Sequence, residues 1–150
     1  MPSRADILPT ELREHLGWIV MVDVMPPGFE QFRYRLVGTL VNQYFLSDAT
    51  GKTIREAFAA YPPHVANAVT AVHRKSARDK VVVRSRGAPD WMGGGYEEFD
   101  ALYLPLSDDG ETCNVLLTAF TFDREQVLLS RQIARANGGR LPVRPPKTGT

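Results

Sequence analysis

Glu30-Gln31-Phe32-Arg33-Tyr34-Arg35-Leu36-Val37 decides the fold. Phe32, Tyr34 and Leu36 alternate with Arg33 and Arg35, the period of two expected of a strand with one face in a core and the other in water. Immediately before it, Trp18-Ile19-Val20-Met21-Val22-Asp23-Val24 is rich in residues that favour strands, and Pro26-Pro27-Gly28 supplies the turn between the two runs. The pair reads as a hairpin.

Further along the chain, Gly38-Thr39 breaks the alternation. Leu40, Val41, Tyr44 and Phe45 then have the spacing of a short helix, and a second short helical piece covers Thr53 to Ala60, ending at Pro62-Pro63. The longest helix is expected from His64 to about Arg78, with Val65, Val69, Val72 and Ser76 on one face. Three strands follow: Lys80 to Arg86, Tyr96 to Leu106 and Cys113 to Phe122. The second and third are joined by the turn Ser107-Asp108-Asp109-Gly110. Short loops make the last three antiparallel, so the expected class is α+β: one five-stranded antiparallel sheet in the order ββ, helices, βββ, with helices on one face.

Helices are also expected at both ends. Leu8, Leu12 and Leu16 recur every four residues before Gly17, a narrow apolar stripe for a short N-terminal helix with Thr10 as its cap. The division expected is an N-terminal helical cap over residues 1–16, the sheet domain over 17–123, a C-terminal helix over 124–136 and a flexible tail over 137–150.

The order of elements is that of the PAS fold. The sequence resembles a bacterial family of small stand-alone PAS-domain proteins in three places: Phe32-Arg33-Tyr34-Arg35-Leu36-Val37-Gly38-Thr39, Asp48-Ala49-Thr50-Gly51-Lys52-Thr53, and Tyr103-Leu104-Pro105-Leu106-Ser107-Asp108-Asp109-Gly110 before a final apolar strand. The resemblance covers about Leu8 to Asp123. It implies a sensory domain whose helices curl over the sheet around a pocket that holds haem, flavin, a carboxylic acid or no recognisable group. It names no cofactor.

Composition sets the outer limits. The chain has 150 residues, 43% of them hydrophobic and 23% charged, ordinary values for a globular protein able to bury a core. The longest apolar run, Trp18 to Val22, falls far short of the ~20 residues a membrane-spanning helix needs, and the N-terminus lacks a secretory signal, so a cytoplasmic protein is expected. Cys113 is the single cysteine, which rules out an internal disulfide and multi-cysteine metal motifs. Six of the 18 Lys and Arg residues and one of the 17 acidic residues fall from Arg124 onward, so that segment is +5 and the rest −4 within a net charge of +1. Nucleic-acid binding through this segment is the weaker alternative, because no aromatic residue lies beyond Phe122 to stack on a base.

Catalytic signals are weak. Gly51-Lys52-Thr53 has Leu46 where a phosphate-binding loop needs glycine, and it reads as a turn. Gly93-Gly94-Gly95 reads as a hairpin tip, and Glu97, Glu98 and Asp100 as a solvated sheet edge without a partner base or metal. His64 and His73 stand nine positions apart, on opposite sides of one helix. His73 borders the apolar face, where haem ligation competes with a plain structural role, and a flavin photosensor would want its cysteine in the helical segment rather than at Cys113. A non-enzymatic module is expected.

What remains is an inward inventory that also contains Leu36, Ile54, Tyr61 and Leu116. The candidate ligand-binding residues are Tyr34, Tyr44, Phe45, Phe58, Val69, His73, Tyr103, Thr118 and Phe120, mixing apolar walls with hydroxyls that need partners when buried. The expected function is a sensory domain that binds a small organic molecule between helices and sheet and acts on a signalling protein in trans. The alternative is a ligand-free interaction module. A homodimer is expected through the N-terminal stripe and the outer sheet face, where Val37, Leu102 and Leu117 project.

Overall fold

In the computed structural model, which describes residues 1–43, 48–87 and 99–122, the hairpin forms from β1 (Ile19–Met25) and β2 (Gln31–Val37), paired antiparallel. Gly28 holds φ at +74° in the turn between them, a backbone that side chains with a Cβ rarely adopt. Phe32 and Tyr34 are buried as the alternation requires, but Leu36 is 43% exposed. The register explains this correction. Val22 faces Tyr34 while its neighbour Met21 faces Leu36, so Arg35 is an extra residue in β2, and everything beyond it changes face. Arg35 places its Nε 2.7 Å from Oδ1 of Asp23.

The remaining elements are α1 (Thr39–Asn42), α2 (Ile54–Ala57), α3 (Pro63–Asp79), β3 (Val83–Gly87), β4 (Phe99–Leu106) and β5 (Val115–Phe122). The sheet order is β2-β1-β5-β4-β3, the five-stranded antiparallel sheet expected. Thr53 and Glu56 cap α2 reciprocally, with Thr53 N–H donating to Oε2 of Glu56 at 2.8 Å and Glu56 N–H to Oγ1 of Thr53 at 3.2 Å. Helix α3 starts on Pro63, where a missing N–H costs nothing, and ends at Lys80, whose φ of 56° is left-handed. Lys80 therefore terminates the helix instead of opening the next strand.

The N-terminal stretch also departs from expectation. Instead of an α-helix, residues 4–18 contain two 3-10 turns, Arg4–Asp6 and Leu16–Trp18, linked by further turns. Their hydrogen bonds run from Glu11 N–H to Leu8 O, His15 N–H to Leu12 O and Trp18 N–H to His15 O, each across three residues. With about three residues per turn, side chains four apart no longer share a face. Leu12 accordingly packs inward with Ile7, while Leu8 and Leu16 are 50% and 42% exposed.

Because β1 and β5 are central, their residues Val20, Val22, Leu116 and Thr118 are almost wholly buried. The chain divides into two units, residues 1–85 with 101–120 and residues 86–100 with 121–150. In the second, Arg86 pairs with Asp100 at 3.0 Å. The inner and outer faces of the sheet considered for function belong to the first. The expected C-terminal helix and tail, Tyr44, Phe45, the glycine run at 93–95 and the pair Glu97–Glu98 fall outside the described residues.

Candidate functional site

Pairing sets which side chains share the inner face of the sheet. Val20 lies opposite Thr118, and Val22 opposite both Leu116 and Tyr34, so these residues form one surface across β2, β1 and β5. On β4 the buried positions Ala101 and Tyr103 alternate with exposed Leu102. Helix α3 lies over this surface and turns Val65, His73, Ser76 and Ala77 toward it. Oγ of Ser76 lies 2.8 Å from the carbonyl of Val81 and 3.2 Å from that of Tyr103, fastening the end of the helix to the sheet.

His73 is the centre of the arrangement. Its ring meets Tyr103 edge-on at a centroid distance of 5.0 Å and Phe32 at 5.5 Å. Nδ1 lies 2.7 Å from the carbonyl of Val69. A carbonyl can only accept, so Nδ1 carries the hydrogen, and Nε2 of the neutral ring is an acceptor. Burial pushes the His73 pKa down to about 4, against the opposing pull of that carbonyl. The ring is uncharged at neutral pH.

Tyr34 and Tyr103 are equally uncharged. Burial raises both phenols far above their ordinary range, and proximity to Tyr103 raises Tyr34 further. Thr118 is 0% exposed, and its Oγ1 has no hydrogen-bond partner among the described residues. The inner face thus presents two neutral phenols, a neutral imidazole and a hydroxyl unsatisfied among the described residues, lined by aromatic and aliphatic carbon.

Of the residues singled out from sequence, the structure brings Tyr34, His73 and Tyr103 together and puts Thr118 on the same sheet face. Phe58 is buried with its ring 5.6 Å from that of Tyr61. Val69 contributes its carbonyl to His73 and is half-buried, as is Phe120. Phe32, absent from the sequence-derived candidates, packs against His73 within this group, and its position two residues before Tyr34 on an alternating strand points to that inward placement. Ser76 reads in the sequence only as part of a helix face, and its role as a fastener depends on tertiary structure.

A second feature lies on the opposite face of the sheet. There the N-terminal turns and the strands enclose a groove of about 760 Å³, walled by Ile7, Leu12, Leu16, Met21, Leu36 and Leu117. Ile7 and Leu12 pack over the cluster formed by Ile19, Leu106, Val115 and Leu117 but leave Leu16 and Leu36 largely uncovered.

A family model described as the PAS domain matches residues 1–120, and the chain belongs to that family. It is a domain of a sensory and signalling class. The fold is similar to that of the PAS domain from Bordetella pertussis BvgS, at 15% identity over 90% of this chain and 97% of that one, with a TM-score of 0.61. An RNA-binding light-oxygen-voltage receptor matches at 16% identity over 92% of this chain and 41% of that one, TM-score 0.48. A sensory box histidine kinase/response regulator from Burkholderia thailandensis E264 matches at 11% identity over 89% and 100%, TM-score 0.44. No curated protein matches the chain. Among the described residues no helix is long and apolar enough to cross a membrane, and no group of three His, Cys, Asp or Glu residues is placed to hold a metal ion.

Proposed function

We propose that this PAS domain senses a small uncharged organic molecule held between α3 and the inner face of the sheet, without covalent chemistry, and signals to a protein partner in trans. The observation that carries the reading is the buried Thr118 hydroxyl, which has no hydrogen-bond partner among the described residues. An unsatisfied buried hydroxyl costs about 1–3 kcal/mol, a cost that a ligand hydrogen bond removes. Nε2 of His73 offers an acceptor on the helix side, and all the polar groups here are neutral, which favours an uncharged ligand over an ion. A ligand that prefers one placement of α3 shifts the population of conformations presented to a partner.

The test is native mass spectrometry of the freshly purified protein, followed by thermal denaturation against a library of small metabolites. A ligand at a hundred times its dissociation constant adds about 2.7 kcal/mol and raises the melting temperature accordingly. No copurified mass and no stabilisation across the library would refute the reading. A second reading, self-association, is favoured by the exposed Leu16 and Leu36 on the outer face. Under it the domain serves as a dimerisation module with or without a ligand.

A further inference from the structure

Basic residues are unevenly spread along the chain. Residues 1–123 hold twelve Lys and Arg and sixteen Asp and Glu, yet residues 74–84 hold five of the twelve, with Asp79 their only acid. The structure places this stretch at the end of α3, in the link that follows and at the start of β3. Arg74 is drawn away to the hairpin by Glu30 and the carbonyl of Phe29. Lys75, Arg78, Lys80 and Arg84 are all exposed. Lys75 and Arg78 share the carboxylate of Asp79, so the surface keeps a positive surplus.

Apolar surface lies among these cations. Val81 and Val82 are 42% and 60% exposed just before β3. Their exposure is fixed by the backbone. Val81 N–H donates to the carbonyl of Ser76 at 3.3 Å, and Oγ of Ser76 donates to the carbonyl of Val81 at 2.8 Å, so the link cannot turn inward without breaking both. Beyond the link, β3 is an outermost strand of the described sheet, with β4 on one side. The other edge of such a strand carries backbone donors and acceptors at strand spacing. Val82 and Arg84 are both exposed and alternate with half-buried Val83, so they share a face.

An edge strand accepts another strand, and its charges select which. A second copy of the same edge would set cations against cations. Nucleic acid would want an aromatic ring to stack on a base, and residues 74–84 contain none. A lipid surface calls for large apolar groups along one helix face, not two valines beside a strand. An extended acidic chain suits every feature: backbone pairing along β3, carboxylates for the cations and apolar contact for Val82. We propose that the β3 edge docks an extended acidic segment of a partner protein as a further strand, with Lys80 and Arg84 meeting its carboxylates and Val82 its apolar side chains. This rests on the reading of a protein partner in trans and deepens it by naming the surface and the partner's chemistry. Ser76 ties that surface to the inner face, since its hydroxyl also lies 3.2 Å from the carbonyl of Tyr103.

Fluorescence anisotropy on the full chain tests this with labelled peptides of about eight residues. One alternates Glu with Val, a second Lys with Val, and a third Glu with Pro, which keeps the charge but removes backbone donors. The Glu/Val peptide should bind wild type with a dissociation constant below roughly 100 micromolar, and the other two about ten-fold or more weakly. Lys80→Glu with Arg84→Glu should weaken the Glu/Val peptide about ten-fold or more, and Val82→Lys about three-fold or more although it adds a cation. These side chains are exposed, and unchanged circular dichroism serves as the check that each variant folds. No binding of the Glu/Val peptide, equal binding of the Glu/Pro peptide, or indifference to the charge and valine changes would overturn the proposal. Tighter binding of an oligonucleotide or of phosphatidylglycerol vesicles through the same cations would overturn it too. The inner-face ligand is read separately: stabilisation by a metabolite without peptide binding would sink this surface alone, and peptide binding without any stabilising metabolite would sink the ligand alone.

Discussion

Acidification from about pH 7 toward pH 4 should drain stability from this fold through one residue, His73. The ring is 3% exposed, wedged against Phe32 and Tyr103, and its pKa is lowered from 6.5 to about 4, by burial first of all. Between those two values the unfolded chain binds a proton that the native state refuses. Stability therefore rises with pH across the window, is fully present above 6.5, and is lost as pH falls through the folded-state value. At about 1.4 kcal/mol per pH unit, the interval from 6.5 down to about 4 amounts to about 3 kcal/mol. Asp48, Glu56, Asp79 and Asp109 have lowered pKa values, so their contributions decline only when the pH falls below the ordinary carboxylate range near 4. The two windows are separate. Urea unfolding of wild type and His73→Gln at a series of pH values from about 7 to 4.5 reads the difference directly. The variant should be less stable at neutral pH, having lost the ring contacts, but its stability should depend less on pH, by about 1.4 kcal/mol per unit inside the window. Parallel pH profiles for the two proteins would refute the reasoning.

Two further substitutions probe the joints of the fold. A Cβ at Gly38 would lie 2.4 Å from the carbonyl oxygen of Gly17, whereas a Cβ at Gly17 would meet the Leu40 Cδ1 at 2.8 Å. Gly38→Ala should therefore cost about 1–3 kcal/mol, because backbone must move, and more than Gly17→Ala, where a side-chain end can swing away; chemical denaturation ranks the two. Ser76→Ala removes the hydroxyl that faces the Val81 and Tyr103 carbonyls, and a loss of about 1–2 kcal/mol with faster amide exchange at the end of α3 is expected, whereas unchanged exchange would show that the fastener holds nothing.

Much of the architecture is legible in the sequence because the signals are local. Alternation at Phe32 and Tyr34, proline before α3 and the turn after β4 each mark an element within a few residues, and their order gives the sheet. Leu36 misleads because an inserted residue is invisible to a period of two: Arg35 satisfies the alternation but occupies no position opposite β1. The leucines at 8, 12 and 16 mislead for a related reason, since a spacing of four implies one face only in an α-helix, and this stretch winds more tightly. At the inner site, buried aromatics and hydroxyls point to Tyr34, Tyr103 and Thr118. Ser76 needs the sheet beneath α3 before its hydrogen bonds can be seen. The meeting of Pro2 with Ser107 is not legible at all, because it joins residues far apart in the chain.

The central claim is that the inner face binds a ligand through the orphaned hydroxyl of Thr118, and calorimetric titration of wild type and Thr118→Val tests it most directly. Valine keeps the shape and deletes the hydroxyl, so the unliganded variant should be as stable as wild type or up to about 1 kcal/mol more stable. The small molecule that stabilises the wild type should bind the variant about ten-fold more weakly, the worth of one buried hydrogen bond. Equal affinity in the two proteins would contradict the account by showing that the ligand does not use the Thr118 hydroxyl, and a variant destabilised by more than about 2 kcal/mol would contradict it by showing that the hydroxyl already has its partner inside the fold.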